Sequence, residues 1–219
     1  MDVVYILSYD PTDNYSELRF SLRSLSRYCN DVDDLYIVGN KPSWIKNVKH
    51  IPVEDRYYPW GNHLIKVLTA FKHTDNFLLL NDDFYMLAPF SAGKYPYFDR
   101  GKICGTGQTN YNKILLKTSE YLQKRGLNTL HYGVHCPIRY ESDFLSIADI
   151  MLQKLDDEIG YSPRCIYGNM LNKKSVEIKD TKCYDNLKLE NNPCGCVSSG
   201  DRCDIGILAE VFNEISKWE

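Results

Sequence analysis

The first 85 residues alternate short apolar runs with amphipathic stretches, and this rhythm most constrains the fold. Residues 3–8, 34–38 and 77–80 are apolar and β-prone, and residues 45–52 lead into a further strand. Residues 16–28 (SELRFSLRSLSRY) predict a helix, with Leu18, Leu22 and Leu25 as its buried stripe and Ser16 as its cap. Residues 63–71 (HLIKVLTAF) predict a second helix. Alternating strands and helices argue for an α/β fold whose central sheet is mostly parallel and flanked by helices.

Beyond residue 85 the rhythm loosens. Residues 111–124 predict a helix that Gly126 closes in a left-handed conformation. Further helices are expected over 142–156 and 205–218, the last packing Ile207, Leu208, Val211, Phe212 and Ile215. Residues 180–196 carry charge and turn formers and read as a loop or a late strand. With 219 residues, no repeat and no low-complexity linker, one domain is expected.

The formal net charge of −3 supplies no general basic field for nucleic acid or an anionic membrane. No apolar run is long enough to span a bilayer. The opening MDVVYILSYD lacks the basic segment of a signal peptide, so a cytoplasmic location is expected. There, the eight cysteines should stay reduced. Cys183, Cys194, Cys196 and Cys203 offer an alternative four-sulfur zinc site. Their spacing departs from the usual zinc pairs, so free thiols are expected. Seventeen tyrosines suit stacking on sugars and bases.

The chemistry concentrates at FLLLNDDFY, residues 77–85. A buried strand running into Asn81, Asp82 and Asp83 puts two carboxylates where an open α/β sheet holds its ligands. Carboxylate oxygens suit Mg²⁺ or Mn²⁺, and such an ion can bridge to a diphosphate. Ser8, Tyr9 and Asp10 end the first strand at the same edge, where a base can stack on Tyr9. Arg19, Arg23 and Lys66 can offset phosphate charge, and Asn62 shares a helix face with Lys66. In HYGVHCPIRYE (131–141), His135 is a candidate to complete the coordination that Asp83 begins, while His131 reads better as a structural histidine. Phosphate-loop, dinucleotide-fingerprint, esterase-elbow and HExxH motifs are absent from the sequence.

SELRFSLRSL, LYIVGNKPSWIKNVKHIPVED, NHLIKVLTAF, FLLLNDDFYML and HYGVHCPIRYE occur in that order. The order resembles phage and prophage glycosyltransferases of the GT-A fold over residues 3–141. The first half is also similar to Stealth-type sugar-phosphate transferases. The resemblance implies a Rossmann-like domain with a nucleotide-sugar half (1–85) and an acceptor-side half (86–219). It implies a hexosyl- or pentosyltransferase dependent on Mn²⁺ or Mg²⁺. Asn81, Asp82 and Asp83 take the DxD place, with Asp83 and His135 on the metal and Asn81 on the donor. Ser198 and Ser199 match a late small-residue segment near the donor. Where the phage pattern has an acidic residue two before the histidine, this chain has Gly133. Asp82, Glu141 and Asp201 therefore remain the candidate bases. The acceptor stays open among a hydroxymethylated DNA base, a glycan and a protein. For DNA, Lys113, Lys117, Lys124 and Arg125 offer a basic surface. A sugar-1-phosphate transferase and an inactive sugar-nucleotide-binding module are the alternatives.

Overall fold

A computed structural model describes residues 1–10, 12–104, 107–190 and 192–219. Strand β1 (Asp2–Leu7) leads through helix α1 (Ser16–Tyr28) to β2 (Leu35–Gly39) and β3 (Lys49–Ile51). Helix α2 (Pro59–Ala70) returns the chain to β4 (Asn76–Leu80). Then come β5 (Phe84–Met86), β6 (Tyr97–Asp99), α3 (Asn110–Gln123) and β7 (Ile138–Glu141). The central sheet has the order β3-β2-β1-β4-β7. Its first four strands are parallel, and β7 runs antiparallel to β4. The order reverses between β1 and β4, which makes their carboxyl ends a topological switch point.

Both faces of the sheet are covered, which explains the unbroken apolar runs. Val4, Phe77 and Leu79 pack with Leu64 and Val67 of α2. Val3, Tyr5, Leu78 and Leu80 pack on the other face with Leu18, Leu22 and Leu25 of α1. Burying one such leucine contributes roughly 1.5–3 kcal/mol.

Ser16 does not cap α1. Tyr15 precedes the helix at φ 42°, with no side-chain cap. Its hydroxyl instead accepts from the Asp10 backbone N–H at 2.9 Å and donates to the Ser8 carbonyl at 2.9 Å. Gly126 does close α3, at φ +68°, and the Leu127 N–H reaches back to the Leu122 carbonyl at 3.1 Å.

The helix expected over 142–156 is broken. A 3-10 segment (Ser142–Ile147) runs into a short α4 (Ala148–Leu152). Phe144 and Ile147 are both buried, and a spacing of three suits the 3-10 repeat. Helix α5 (Pro163–Met170) follows, then β8 (Ser175–Glu177), β9 (Lys182–Cys183), β10 (Cys196–Ser199) and α6 (Ile207–Val211). Strands β9 and β10 bracket the stretch read as a loop or late strand. The last helix is much shorter than expected. Beyond it the chain folds back, Glu219 pairs with Arg23 at 2.8 Å, and Ile215 is 75% exposed. Strand β10 runs antiparallel to β5 and parallel to β9 in a second, three-stranded sheet. No helix among the described residues is long and apolar enough to cross a membrane.

Candidate active site

The acidic turn leaves β4 at the switch point and passes directly into β5. Register then decides what meets it. Ser198 of β10 lies opposite Phe84 on one side and beside Lys182 of β9 on the other. The Ser198 hydroxyl donates to Asp83 Oδ2 at 2.6 Å, and Lys182 Nζ approaches the same oxygen at 3.3 Å. Ser199 donates its hydroxyl to Glu17 at the start of α1, and its backbone N–H to the Asp83 carbonyl at 3.3 Å. The Tyr85 hydroxyl lies 2.9 Å from the Ser199 hydroxyl. Burial, with the Asp83 charge adding to it, raises the Glu17 carboxyl. Burial, then Asp83 and Glu17, push Asp82 up to about 7. The turn thus holds one carboxylate paired with a cation and another whose proton sits near neutrality, suited to acid–base work.

His135 is fixed from the side. Its Nδ1 lies 2.9 Å from both carboxylate oxygens of Asp180, and its backbone N–H donates to that group at 3.0 Å. Arg100 meets Asp180 at 2.9 Å. Burial alone would raise the Asp180 carboxyl, but His135 and Arg100 outweigh it and hold it down to about 2. His131 is buried, and its Nε2 lies 3.0 Å from the Tyr111 hydroxyl. A Cβ at Gly133 would come within 2.7 Å of both partners of that bond, so a side chain there would displace them.

Three cavities border the turn and the sheet edge. One, of about 740 Å³, is lined by Leu7, Tyr9, Gly39, Asn40, His50 and Asp55. A second, of about 440 Å³, is lined by Tyr58, Trp60, Asn81, Tyr111, His135 and Glu158, among others. The third, of about 430 Å³, shares Tyr111 and His135 with it and adds Arg100, Lys182, Asp201 and Arg202.

Several expected residues come to this edge: Tyr9, 73% exposed in the first cavity, with Ser8 and Asp10 beside it, and Asn81, Asp82, Asp83, His135, Ser198, Ser199 and Asp201. Others do not. Arg19 and Arg23 close onto Glu219 at 3.4 and 2.8 Å, and Arg19 stacks on Trp44. Lys66 does reach the end of β1 behind the first cavity, but it is buried there and engaged by Asp55 at 2.6 Å and the Leu7 carbonyl at 2.9 Å. Asn62 staples the loop before α2 through Arg56 and Tyr57. Glu141 pairs across from Asn76, at the opposite end of β4 from the turn, and binds Lys173 at 2.6 Å. Lys117 and Arg125, expected on a basic surface, are held by Asp157 and stacked on Tyr121. Cys194 and Cys196 are buried in the core beside α1, away from Cys183 and Cys203, which pack in a separate cluster. All four are free thiols.

Glu17, Lys182 and Asp180 join the site without having been singled out. Their partners lie 45 to 182 residues away, so no local pattern marks them.

The expected Mn²⁺ or Mg²⁺ ion fits only in part. His135 has the posture of a ligand, because Asp180 holds Nδ1 and leaves Nε2 free. Asp83 offers only one oxygen, since Ser198 and Lys182 both occupy Oδ2. Among the described residues, no three His, Cys, Asp or Glu side chains stand close enough to share an ion.

No family model matches the chain, and no curated protein matches it by sequence. Solved structures do match it. The galactosyltransferase LgtC, in complex with donor and acceptor sugar analogs, is 11% identical with a TM-score of 0.52, over 100% of this chain and 98% of that one. The fold is GT-A. A structure of LgtC carrying an active-site mutation superposes on the same GT-A frame at TM-score 0.51 and 12% identity, over 97% of this chain and 94% of that one. In this GT-A chain the acidic turn at the switch point is 81–83, and its cross-strand partners come from β9 and β10.

Proposed function

We propose that this protein transfers a sugar from a nucleotide-diphosphate donor to the hydroxyl of a saccharide acceptor. The observation that carries this reading is the meeting of Asp83, Ser198 and Lys182 at the switch point of a GT-A sheet, with cavities on either side. The nucleoside stacks on Tyr9 and the diphosphate crosses the acidic turn. Asn81 hydrogen-bonds the donor sugar. The acceptor enters the cavity of Tyr58, Trp60 and Tyr111, whose aromatic walls suit sugar rings. LgtC was solved with donor and acceptor sugar analogs, which supports a two-substrate reading of the paired cavities. Asp82 has no ion-pair partner among the described residues and is the base that takes the acceptor's proton; Asp201, in the cavity that holds His135, is its rival.

A second reading keeps a Mn²⁺ or Mg²⁺ ion on Asp83 and His135. The pinned Nδ1 of His135 favours it.

The test is turnover of UDP-, GDP- and ADP-sugars with a saccharide acceptor panel, scored by the nucleotide released. Nucleoside diphosphate release that Asp82→Asn slows at least ~10-fold supports the proposal. Release of nucleoside monophosphate would assign a sugar-phosphate transfer instead. No release with any donor would leave a binding role.

A further inference from the structure

Lys182 is not a loose surface lysine. Its strand lies parallel to β10, and the register sets it beside Ser198. Both side chains end on one oxygen of Asp83. The Lys182 side chain is only 18% exposed and that of Asp83 only 13%. The sheet therefore fixes an ammonium at the third residue of the acidic turn. An ammonium carries three donors, and Asp83 takes one. The other two are available to the cavity that Lys182 lines with Arg202 and His135.

A diphosphate reaching this edge meets Asp82, Asp83 and Glu17, so a cation has to stand between them. Among the described residues no three His, Cys, Asp or Glu side chains share an ion site, and the Asp83 oxygen that would face such an ion already carries Ser198 and Lys182. Lys182 is a cation already in place. We infer that Lys182 does the work of a divalent ion here: its ammonium, with Arg202 from the same cavity, neutralises the nucleoside diphosphate, and the donor binds and reacts without added metal.

The step balances without an ion. The anomeric C–O bond breaks and its electron pair leaves on the phosphate oxygen. The acceptor oxygen forms the new C–O bond and gives its proton to the base. Lys182 transfers nothing and offsets the charge that develops.

The inference rests on the glycosyl-transfer reading, and one experiment separates the two. Binding of UDP, GDP, ADP and CDP is measured by calorimetry, in excess EDTA and in Mn²⁺, for the wild type, Lys182→Met and Lys182→Arg. The expected result is binding of one nucleotide with similar affinity in both buffers. Lys182→Met should weaken that binding about 10- to 100-fold, and Lys182→Arg should largely keep it. Thermal melts of each variant show whether the fold survives, and the charge-keeping Arg variant controls for packing. Binding by the wild type only in Mn²⁺ would overturn the inference and leave the transferase reading standing. Unchanged affinity in a folded Lys182→Met protein would overturn it as well. No binding of any nucleotide in either buffer would overturn both.

Discussion

Asp180 holds His135 by three contacts, two to Nδ1 at 2.9 Å and one from the backbone N–H at 3.0 Å. A carboxylate at Nδ1 keeps the proton there and leaves Nε2 as an acceptor toward the cavities that His135 lines. The ring's tautomer is thus set by Asp180 and not by the residues lining the cavities. Asp180→Ala should lower kcat/KM by about 10-fold or more. Ring nitrogen shifts of His135 by NMR check the cause directly. An unchanged tautomer in the variant would show that Asp180 does not set it.

Tyr9 offers a flat face at the end of β1 and is 73% exposed. Little of the fold depends on it. Tyr9→Ala should weaken nucleoside diphosphate binding about 10-fold, in line with ~1–3 kcal/mol per stacked base, while the melting temperature stays put. Tyr9→Phe should bind normally. Equal affinity for all three proteins by calorimetry would move the base elsewhere.

Gly39 ends β2 at φ +111°, and a Cβ there would lie 2.1 Å from the Leu7 carbonyl oxygen. That carbonyl also accepts from Lys66 and from the Asn40 backbone N–H. Gly39→Ala therefore strains the backbone and forces two neighbouring strand ends apart. A loss of at least about 1–3 kcal/mol is expected from urea melts. A loss within experimental error would show that the edge yields freely.

Two histidines set a pH dependence of stability. Burial, then the Arg100 charge, holds His131 down to about 4. Burial, then Arg164 and Lys66, holds His63 down to about 3. Each folded value lies below the ordinary 6.5, so the unfolded chain binds the proton more readily. Their contribution is fully present above pH ~6.5 and falls as the pH drops toward about 4 and then 3. Asp180 loses its own share only lower, as pH falls below the usual carboxylate range toward about 2. Asp82, pushed up to about 7, works in the opposite sense over the same range. Urea melts at stepped pH should therefore show His131→Gln losing less stability, or gaining more, than the wild type as the pH falls below 6.5, the difference being the His131 share. An unaltered slope in the variant would remove His131 as its source.

The first 85 residues were legible because their signals are local. Leu18, Leu22 and Leu25 repeat at helical spacing, and α1 spans the expected residues 16–28. The run at 77–80 is buried on both faces, as a covered strand must be. Helix α5 carries a local signature as well, since Ser162 caps it and Pro163 begins it. The site was half legible. Asp82 and Asp83 follow from strand-end logic, but Arg19 and Arg23 looked free only because Glu219 is distant in sequence. Glu141 reads as a candidate base until the antiparallel β7 carries it to the wrong end of β4. Such pairings depend on topology that periodicity does not encode.

Strand β10 brings Ser198 and Ser199 to an acidic turn made more than a hundred residues earlier. A ribosome finishes that turn long before its partners exist. Until Lys182 and Ser198 emerge, Asp83 waits with neither its hydrogen bond nor its counter-charge. The growing chain therefore completes this edge only after residue 199 has emerged and the small sheet has closed, so the charge of the acidic turn is balanced from a distance and not by its own neighbours in sequence.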